Sequence, residues 1–417
     1  MDVLRFSTAG SVDDGKSTLI GRLMYDTKAL RTDQLEAVER TSKRRGHDSI
    51  DLSQLTDGQK AARAQGITID VAHIYFNTPR RKFIITDTPG HVEYTRNMVT
   101  GASNTNLAII LIDARHGVVE QTFRHYYIAW LLKIPQIVVA VNKMDLVDYA
   151  QERFDEITTE FRKFAGNLSH KGQEISFIPV NALGGDNVVY ASEKLAWYEG
   201  KTLLEHLETV PIPVTANLTE ARFPVQWVIR PQSEAHRDYR GYSGRVAGGS
   251  FSKGDEVMVL PSRKTSKIQS IDVLDGTLEQ ADHGRSVTIR LEDDIDISRG
   301  DMLVKPNNLP VISQDIQADL CWMGDEALNP AGRYLLQHAA SRTPVKVRQF
   351  AYKVDPTTLE KDEEAGELAL NEIGRVVLRS AKPLFYDDYG QNRANGAFVL
   401  IDEHSNNTVA AGMIAER

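Results

Sequence analysis

The hydrophobic positions before about Pro213 follow two alternating periodicities. Four short apolar runs predict buried strands, at 82–86, 107–112, 136–141 and 177–180. Segments with helical spacing lie between them, among them Phe123–Leu132 and Ala150–Phe164. Because parallel strands need crossover helices, this alternation predicts an α/β domain with a mostly parallel sheet and helices on both faces.

After Pro213 the pattern changes to short strands separated by Gly, Pro, Asp and Ser, and a second such series starts at Ile316. Regular short strands with turn signals predict two all-β barrel modules. The seam between them lies near Lys305–Ser313, which has two prolines and no periodicity. We therefore predict three domains, at 1–213, 214–308 and 309–417. The charged stretch Glu360–Glu367 is expected to be a solvated loop or a short helix.

Composition and charge exclude several classes of protein. The 417 residues are 41% hydrophobic and 25% charged, as in globular proteins of two or three domains. No apolar run approaches the roughly 18 residues of a membrane span, and the N-terminus has no signal-peptide pattern. A single cysteine excludes an internal disulfide, and a formal charge of −8 argues against a dedicated nucleic-acid binder. We therefore expect a cytoplasmic protein with no membrane partner.

A phosphate-binding loop is the first candidate for chemistry. The stretch "TAGSVDDGKSTLIGRL", starting at Thr8, has the spacing G-x-x-x-x-G-K-[ST]. A glycine-rich loop that opens a helix turns several backbone N–H groups toward one point, and the helix dipole adds positive charge there. Lys16 is expected to reach the β and γ phosphates of a nucleotide, and Ser17 to hold Mg²⁺.

Three further polar clusters each follow a predicted strand. They are "DTPGH" (Asp87–His91), "NKMD" (Asn142–Asp145) and "NALGGDN" (Asn181–Asn187). Taken alone, "NKMD" also suits a helix cap and "DTPG" a turn. In open α/β sheets, however, ligands bind beyond the carboxyl ends of the strands. The order and position of the clusters therefore predict that all of them meet the phosphate loop at one edge of the sheet.

The side chains predicted at this edge suit a guanine nucleotide. Asp87 can hold Mg²⁺ through water and the Gly90 N–H can meet the γ phosphate, which are the needs of phosphoryl transfer. The Asp145 carboxylate can accept hydrogen bonds from the N1–H and 2-amino groups of guanine, whereas adenine has neither donor. The predicted nucleotide is therefore GTP. Asn142 and Lys143 are expected to brace the loop and the base.

Two more residues are candidates for hydrolysis. Thr68, in "AQGITID", can give Mg²⁺ a second hydroxyl when the γ phosphate is present, in a first switch region that orders differently with GTP and GDP. The alternating Ile67 and Ile69 also suit the start of a strand. His91, directly after "DTPG", is expected to orient the attacking water, although a lone histidine is more often structural.

These motifs resemble, in the same order, the translation-factor class of GTPases, in which two β-barrel modules follow the nucleotide domain. The chain is more similar still to the GTPase (large) subunit of bacterial sulfate adenylyltransferase. Asp14 stands where elongation factors typically carry a histidine. The segments "GDNVV" (Gly185–Val189), Tyr239–Ser262 and Asn371–Tyr389 are similar to that subunit too, so the resemblance spans essentially the whole chain.

The resemblance implies a partner as well as GTP and Mg²⁺. In that family a small subunit joins ATP and sulfate to give adenosine 5′-phosphosulfate and pyrophosphate, and GTP hydrolysis on the large subunit is coupled to this uphill step of sulfate assimilation and cysteine biosynthesis. The chain has no second nucleotide motif, so we expect no fused adenylylsulfate kinase. The alternative is an elongation-factor-like GTPase that delivers aminoacyl-tRNA; Asp14, "GDNVV" and the acidic balance favour the sulfate-activating enzyme.

The resemblance also implies the site residues. The expected nucleotide-binding residues are Gly10, Ser11, Val12, Asp13, Asp14, Gly15, Lys16, Ser17, Thr18, Asp87, Thr88, Pro89, Gly90, His91, Asn142, Lys143, Met144, Asp145, Asn181, Ala182 and Leu183. The expected catalytic residues are Lys16, Thr68 and His91, and the expected Mg²⁺ ligands are Ser17, Thr68 and, through water, Asp87.

Two features depart from the family pattern. Asn181 replaces the usual Ser of the base-side loop, with Ala182 still expected to present its N–H to the guanine carbonyl. Ala61–Ala64 replaces an acidic run, which removes any salt bridge that this run would make in the first switch.

Overall fold

The structure is a computed structural model that describes residues 2–29, 72–87, 99, 105–168, 173–212, 219–231 and 239–415. The chain forms two compact units, which consist mainly of residues 1–213 and 214–417. The division of the second unit into domains at 308/309 stays a prediction. None of the helices described is long and apolar enough to span a bilayer.

The first unit is built on one six-stranded sheet. Its strands are β1 (Val3–Ala9), β2 (Ala72–Asn77), β3 (Lys82–Asp87), β4 (Leu107–Asp113), β5 (Gln136–Asn142) and β6 (Glu174–Pro179). The α-helices that the described residues of this unit form are α1 (Lys16–Asp26), α2 (Glu120–Leu131), α3 (Gln151–Asn167) and α4 (Leu203–Thr209). The strand order is β2-β3-β1-β4-β5-β6, and every neighbouring pair is parallel except β2 with β3. The predicted mostly parallel sheet is confirmed.

The strands β4 and β5 lie in the interior of the sheet because their sequences are apolar almost without interruption. Every residue of β4 and of β5 is buried, as a strand covered by helices on both faces requires. From α1, Leu19, Ile20 and Leu23 are fully buried in the same core as residues of β1 and β4. The helix is thereby fixed against the sheet, with its first residue, Lys16, at the carboxyl edge of β1.

The second unit contains two barrels. The strands of the first are β7 (Arg222–Ile229), β8 (Gly241–Arg245), β9 (Ser250–Ser252), β10 (Glu256–Leu260), β11 (Lys264–Val273), β12 (Gly276–Leu278), β13 (Gln280–Asp282), β14 (Ser286–Leu291) and β15 (Met302–Val304). Six of them run in the order β10-β15-β7-β8-β14-β11, and the pairing of β10 with β11 closes the ring. Alternating burial along β14 directs every second side chain into the barrel core.

The second barrel closes in the same way. Its strands are β16 (Val311–Trp322), β17 (Tyr334–His338), β18 (Ser341–Val354), β19 (Lys361–Asp362), β20 (Ile373–Tyr386), β21 (Ala397–Asp402) and β22 (Thr408–Ile414), with one helical turn, α5 (Arg393–Gly396). The order is β17-β21-β22-β16-β20-β18, closed by the pairing of β17 with β18. The predicted barrels are thus confirmed as an architecture.

A buried ion pair joins the two barrels. Arg222 of β7 is 1% exposed, and its guanidinium contacts Asp387, just after β20, at 2.9–3.1 Å. The same guanidinium donates to the Asn308 carbonyl at 2.8 Å, while Asn392 and Asn395 donate to Asp387. The Arg222 guanidinium and the Asp387 carboxylate therefore each have several hydrogen-bond partners, which offsets the cost of burying the two charges.

The expectation for Glu360–Glu367 was partly wrong. Lys361 and Asp362 form the short strand β19, which pairs with Val354 and Lys353 at the end of β18. The remaining residues of the stretch form no helix. Charged side chains suit this position because β19 is an edge strand whose side chains are exposed.

Candidate functional site

The loop between β1 and α1 has the backbone that a phosphate cradle requires. Asp13 and Gly15 have φ angles of 66° and 93°, in the left-handed region. A Cβ atom on Gly15 would lie 2.5 Å from Nδ2 of Asn142, so this position needs glycine both for its conformation and for space. The buried Oγ atom of Ser11 has no hydrogen-bond partner among the described residues. The loop therefore offers an unused hydroxyl beside its backbone amides.

Lys16 is buried at the start of α1 and reaches back across the loop. Its Nζ atom donates to the carbonyls of Gly10 and Ser11, both at 2.8 Å. Burial lowers the pKa of Lys16, while the carboxylates of Asp87 and Asp14 oppose that shift. A desolvated ammonium that is held only by loop carbonyls is well suited to exchange them for phosphate oxygens.

The two acidic residues of the loop have different surroundings. Asp14 is 6% exposed, and its Oδ2 atom accepts a hydrogen bond from the Ser11 N–H at 2.5 Å. Burial raises the pKa of Asp14. Asp13 is exposed and acts on Lys16 only through its charge. Asp14 therefore closes the loop on itself, a structural role that the sequence did not suggest.

Asp87 lies at the same edge as the phosphate loop. Thr8 and Asp87 are register partners on the parallel strands β1 and β3, and Thr8 Oγ1 donates to Asp87 Oδ1 at 2.9 Å. Asp87 is fully buried, and its carboxylate raises the pKa of Lys16. The structure thus brings the end of β3 together with the loop, as predicted.

Asn142, the last residue of β5, connects two loops. Its Nδ2 atom donates to the Asp14 carbonyl at 2.7 Å, and its Oδ1 atom accepts from the Ala182 N–H at 2.9 Å. Asn142 is 2% exposed. It therefore braces the phosphate loop against the base-side loop.

Lys143 lies beside Asp113, the last residue of β4. Its Nζ atom is 2.9 Å from Asp113 Oδ2, and Arg115 Nη2 is 2.7 Å from the same oxygen. Burial would raise the pKa of Asp113, but hydrogen bonds from Arg115 and Lys143 hold that pKa well below its usual range. Lys143 is thus fixed by a carboxylate that sequence reasoning did not single out.

Asp145 follows in a short 3-10 helix, Met144–Val147, which the fully buried Met144 anchors. The Asp145 side chain is half-buried and makes no hydrogen bond to another residue in the part of the chain that the structure describes. Both carboxylate oxygens are therefore available to a ligand at this edge.

The chain matches the sequence models of two protein families. The family described as "Elongation factor Tu GTP binding domain" matches residues 1–213, and the one described as "GTP-eEF1A C-terminal domain-like" matches residues 315–415. The chain is 52% identical to sulfate adenylyltransferase subunit 1 of Bacteroides fragilis, over all of this chain and 86% of that protein. It is 51% identical to the subunit 1 of Cellvibrio japonicus, over all of this chain and 87% of that protein. The chain belongs to the sulfate adenylyltransferase subunit 1 family.

Some members of the family are longer. The bifunctional enzyme CysN/CysC of Mycobacterium tuberculosis is 53% identical over 99% of this chain, which covers 67% of that protein. Membership confirms the resemblance drawn from Asp14 and "GDNVV", and it places the chain among enzymes with a GTPase domain. The elongation-factor alternative is supported only at the level of the wider family.

In the base-side loop, the hydrogen-bond partner of the Ala182 N–H differs from the prediction. Its N–H was predicted to face the guanine carbonyl, but it donates to Asn142 Oδ1. The neighbouring Leu183 N–H makes no hydrogen bond to any described residue, and the Leu183 side chain is 61% exposed. A main-chain N–H that has no partner in the described chain therefore lies one residue after Ala182, at Leu183.

Asn181 belongs to a network that sequence reasoning missed. Its Oδ1 atom accepts from the Gly184 N–H at 3.0 Å, and its Nδ2 atom donates to Asp186 Oδ2 at 3.0 Å. The hydroxyls of Tyr149 and Ser192 also donate to Asp186, each at 2.7 Å. Asn181 is longer than Ser and so can span the loop to this carboxylate. The sequence places Asn181 and Asp186 in one polar cluster, 181–187, but it gives no sign that the two side chains bond to each other.

The remaining predicted residues divide into two groups. Ser17 and Thr18 lie half-buried in the first turn of α1, and Val12 is 42% exposed on the loop. Thr68, Thr88, Pro89, Gly90 and His91, together with Ala61–Ala64, lie outside the described residues.

Proposed function

We propose that the chain is the GTP-hydrolysing subunit of a sulfate adenylyltransferase, and that hydrolysis drives a partner small subunit to form adenosine 5′-phosphosulfate from ATP and sulfate. The observation that carries this proposal is the combination of a braced P-loop site with about 50% identity to sulfate adenylyltransferase subunit 1 along the whole chain.

The nucleotide is GTP in this proposal. The phosphates bind to the loop of residues 10–15, where Lys16 exchanges its two carbonyl partners for phosphate oxygens. Asp145 accepts from the guanine N1–H and 2-amino groups with the oxygens that it leaves unbonded in the described chain. The Leu183 N–H, rather than that of Ala182, donates to the guanine carbonyl.

The residues present also fit Mg²⁺. The donors are hydroxyl and carboxylate oxygens, which Mg²⁺ prefers, and the carboxylate of Asp87 is buried within electrostatic reach of Lys16. Ser17 and Thr68 are the proposed direct ligands, and Asp87 holds the ion through water. When bound, Mg²⁺ neutralises charge on the phosphates.

Hydrolysis needs an oriented water and charge neutralisation more than covalent chemistry. We assign the water to His91, with Gly90 N–H at the γ phosphate and Thr68 as the residue that senses it. Domain boundaries at 213/214 and 308/309 would separate this GTPase domain from two barrels. We place the enzyme in the cytoplasm, where both nucleotides and the reducing conditions that suit a lone cysteine are found.

Parallel assays on the purified chain test whether its partner is the small subunit or aminoacyl-tRNA. Without a partner, GTP turnover should be slow, as in switch GTPases that lack their stimulating component. Addition of the small sulfate adenylyltransferase subunit with ATP and sulfate should raise GTP turnover at least several-fold, and aminoacyl-tRNA should not bind. Tight GTP-dependent binding of aminoacyl-tRNA, with no effect of the small subunit, would support the elongation-factor alternative instead.

A further inference from the structure

The first barrel carries a polar cavity that the proposed function does not use. Its volume is about 540 Å³, and it opens to solvent between the end of β7, the strand β14 and the segment that follows β14. Three arginines and three carboxylates line it together with two tyrosines, a glutamine and a leucine: Arg230, Arg240, Arg290, Glu292, Asp293, Asp294, Tyr239, Tyr242, Gln269 and Leu291. Cavities of this size hold small organic ligands, and an inorganic anion would fill only a small part of one.

The cations of this cavity are not all neutralised. Arg240 is paired with Asp294 and also donates to the Ile295 carbonyl at 3.2 Å. Arg230 makes no ion pair or hydrogen bond within the described ranges, and it is exposed to the cavity. The Nε atom of Arg290 is buried and has no partner among the described residues. Neither Arg230 nor Arg290 is ion-paired in the described part of the chain, so both guanidiniums can pair with an anionic ligand in the cavity.

One wall of the cavity is flat and rigid. The guanidinium carbon of Arg290 lies 4.9 Å from the centroid of the Tyr239 ring. The Tyr239 hydroxyl donates to Asp272 Oδ2 at 2.9 Å, which fixes the ring. Stacked arginine and tyrosine side chains form a surface that planar aromatic ligands favour.

Polar side chains at the edge of the cavity make no hydrogen bond to other described residues. The register of β11 against β14 shifts between Ile268 and Ser270, which leaves Gln269 in a bulge. Gln269 and Glu292 are exposed and make no side-chain hydrogen bond in the described part of the chain. Bulges redirect side chains and are frequent beside binding sites.

We propose that this cavity binds a nucleoside monophosphate or a closely related phosphate ester of a nucleoside. The phosphate lies on Arg230 and Arg290, the base lies against Tyr239, and Gln269 and Glu292 bond to polar groups of the base or sugar. The phosphate accounts for the two guanidiniums without an ion pair, the planar base accounts for the stacked wall, and the volume of the cavity exceeds what a phosphate alone would fill. The site is independent of the GTP site and does not rest on the function proposed for it.

Calorimetric titration of the chain saturated with Mg²⁺ and GDP tests the proposal, because the phosphate loop is then blocked. The probes are AMP, ribose 5-phosphate and inorganic phosphate. We expect saturable binding of AMP, weaker binding of ribose 5-phosphate and the weakest binding of inorganic phosphate. Arg230→Gln, an exposed change that leaves the core intact, should weaken AMP binding at least about 10-fold, since Arg–phosphate bonds are charge-assisted.

Arg290→Gln should have the same effect, and Tyr239→Leu should weaken AMP more than ribose 5-phosphate. Arg245→Gln is the matched control, because Arg245 lies exposed on the same barrel, outside the cavity, and its side chain donates to the Gly284 carbonyl. This change should leave AMP binding unchanged. Absence of saturable AMP binding at 10 mM or below, or equal binding by the parent and Arg230→Gln, would overturn the proposal. Binding of inorganic phosphate as tight as that of AMP would also overturn it.

Discussion

The side-chain amide of Asn142 donates to the main-chain carbonyl of Asp14 across 2.7 Å, at the point where β5 meets the phosphate loop. The other end of the same amide accepts from Ala182. One side chain therefore sets the distance between the loop proposed to bind the phosphates and the loop proposed to bind the base. One residue therefore holds together the two halves of the proposed nucleotide site.

The first prediction tests this brace. Asn142→Ala leaves a buried carbonyl and a buried N–H without partners, each of which costs about 1–3 kcal/mol. We expect GTP affinity to fall by roughly 10-fold or more, measured by fluorescence titration with a labelled nucleotide. Asn106→Ala is the matched control, because Asn106 accepts from the Arg5 N–H at the opposite edge of the same sheet. Equal GTP affinity in the two variants would contradict the brace.

The second prediction concerns Gly15. Gly15→Ala combines a φ of 93° with a Cβ atom only 2.5 Å from Asn142 Nδ2, so the loop must move. GTP binding should be lost in equilibrium dialysis, while the chain stays folded by circular dichroism. Gly166→Ala is the control: Gly166 lies in α3 with nothing within 4 Å of an added Cβ. That change should keep GTP binding and raise stability by about 0.5–1 kcal/mol.

The third prediction concerns the base. Asp145→Asn replaces an acceptor of two hydrogen bonds by a group that can donate to the 2-carbonyl of xanthine. We expect the variant to lose GTP affinity and to gain affinity for xanthosine triphosphate, in competition titrations with both nucleotides. Asp148→Asn, at an exposed position three residues further along, should keep the preference for GTP. An unchanged preference in Asp145→Asn would refute the assignment of Asp145.

The fourth prediction follows from the pKa of Asp113, which Arg115 and Lys143 hold below its usual range. A folded-state pKa below the unfolded value near 3.8 adds stability that is fully present above that value and is lost as pH falls through the folded pKa. The Asp113→Asn variant should therefore have a lower urea midpoint than the parent. The difference between the two midpoints is this margin, and it should be the same at pH 8 and at pH 5. The margin should narrow below pH 4. A margin that already narrows between pH 8 and pH 5 would contradict this origin.

Sequence alone predicted the elements whose burial is complete. The runs that became β4 and β5 are almost entirely apolar because both faces of the sheet are covered. Asn142 and Asp145 could be placed because they lie at the carboxyl end of such a strand. Barrel closure was predictable as a class only, because the pairings of β10 with β11 and of β17 with β18 depend on register.

Other features depend on contacts that no local pattern records. The Asp186 carboxylate, for example, accepts hydrogen bonds from the hydroxyls of Tyr149 and Ser192, which lie elsewhere along the chain. The hydrogen bond of the Ala182 N–H follows from the reach of the Asn142 side chain, and the position of Gln269 follows from a shift of register in β11. These are tertiary placements of ordinary residue types, so the sequence carries no periodic or spacing signal for them.

The measurement that tests the central proposal most directly is the plateau concentration of adenosine 5′-phosphosulfate. The chain is combined with the small subunit, ATP and sulfate, and the product is quantified with GTP, with a non-hydrolysable GTP analogue and without nucleotide. The account predicts that GTP alone raises the plateau above the level reached without it, in step with the GTP hydrolysed. Hydrolysis of GTP that leaves the plateau at the GTP-free level would contradict it.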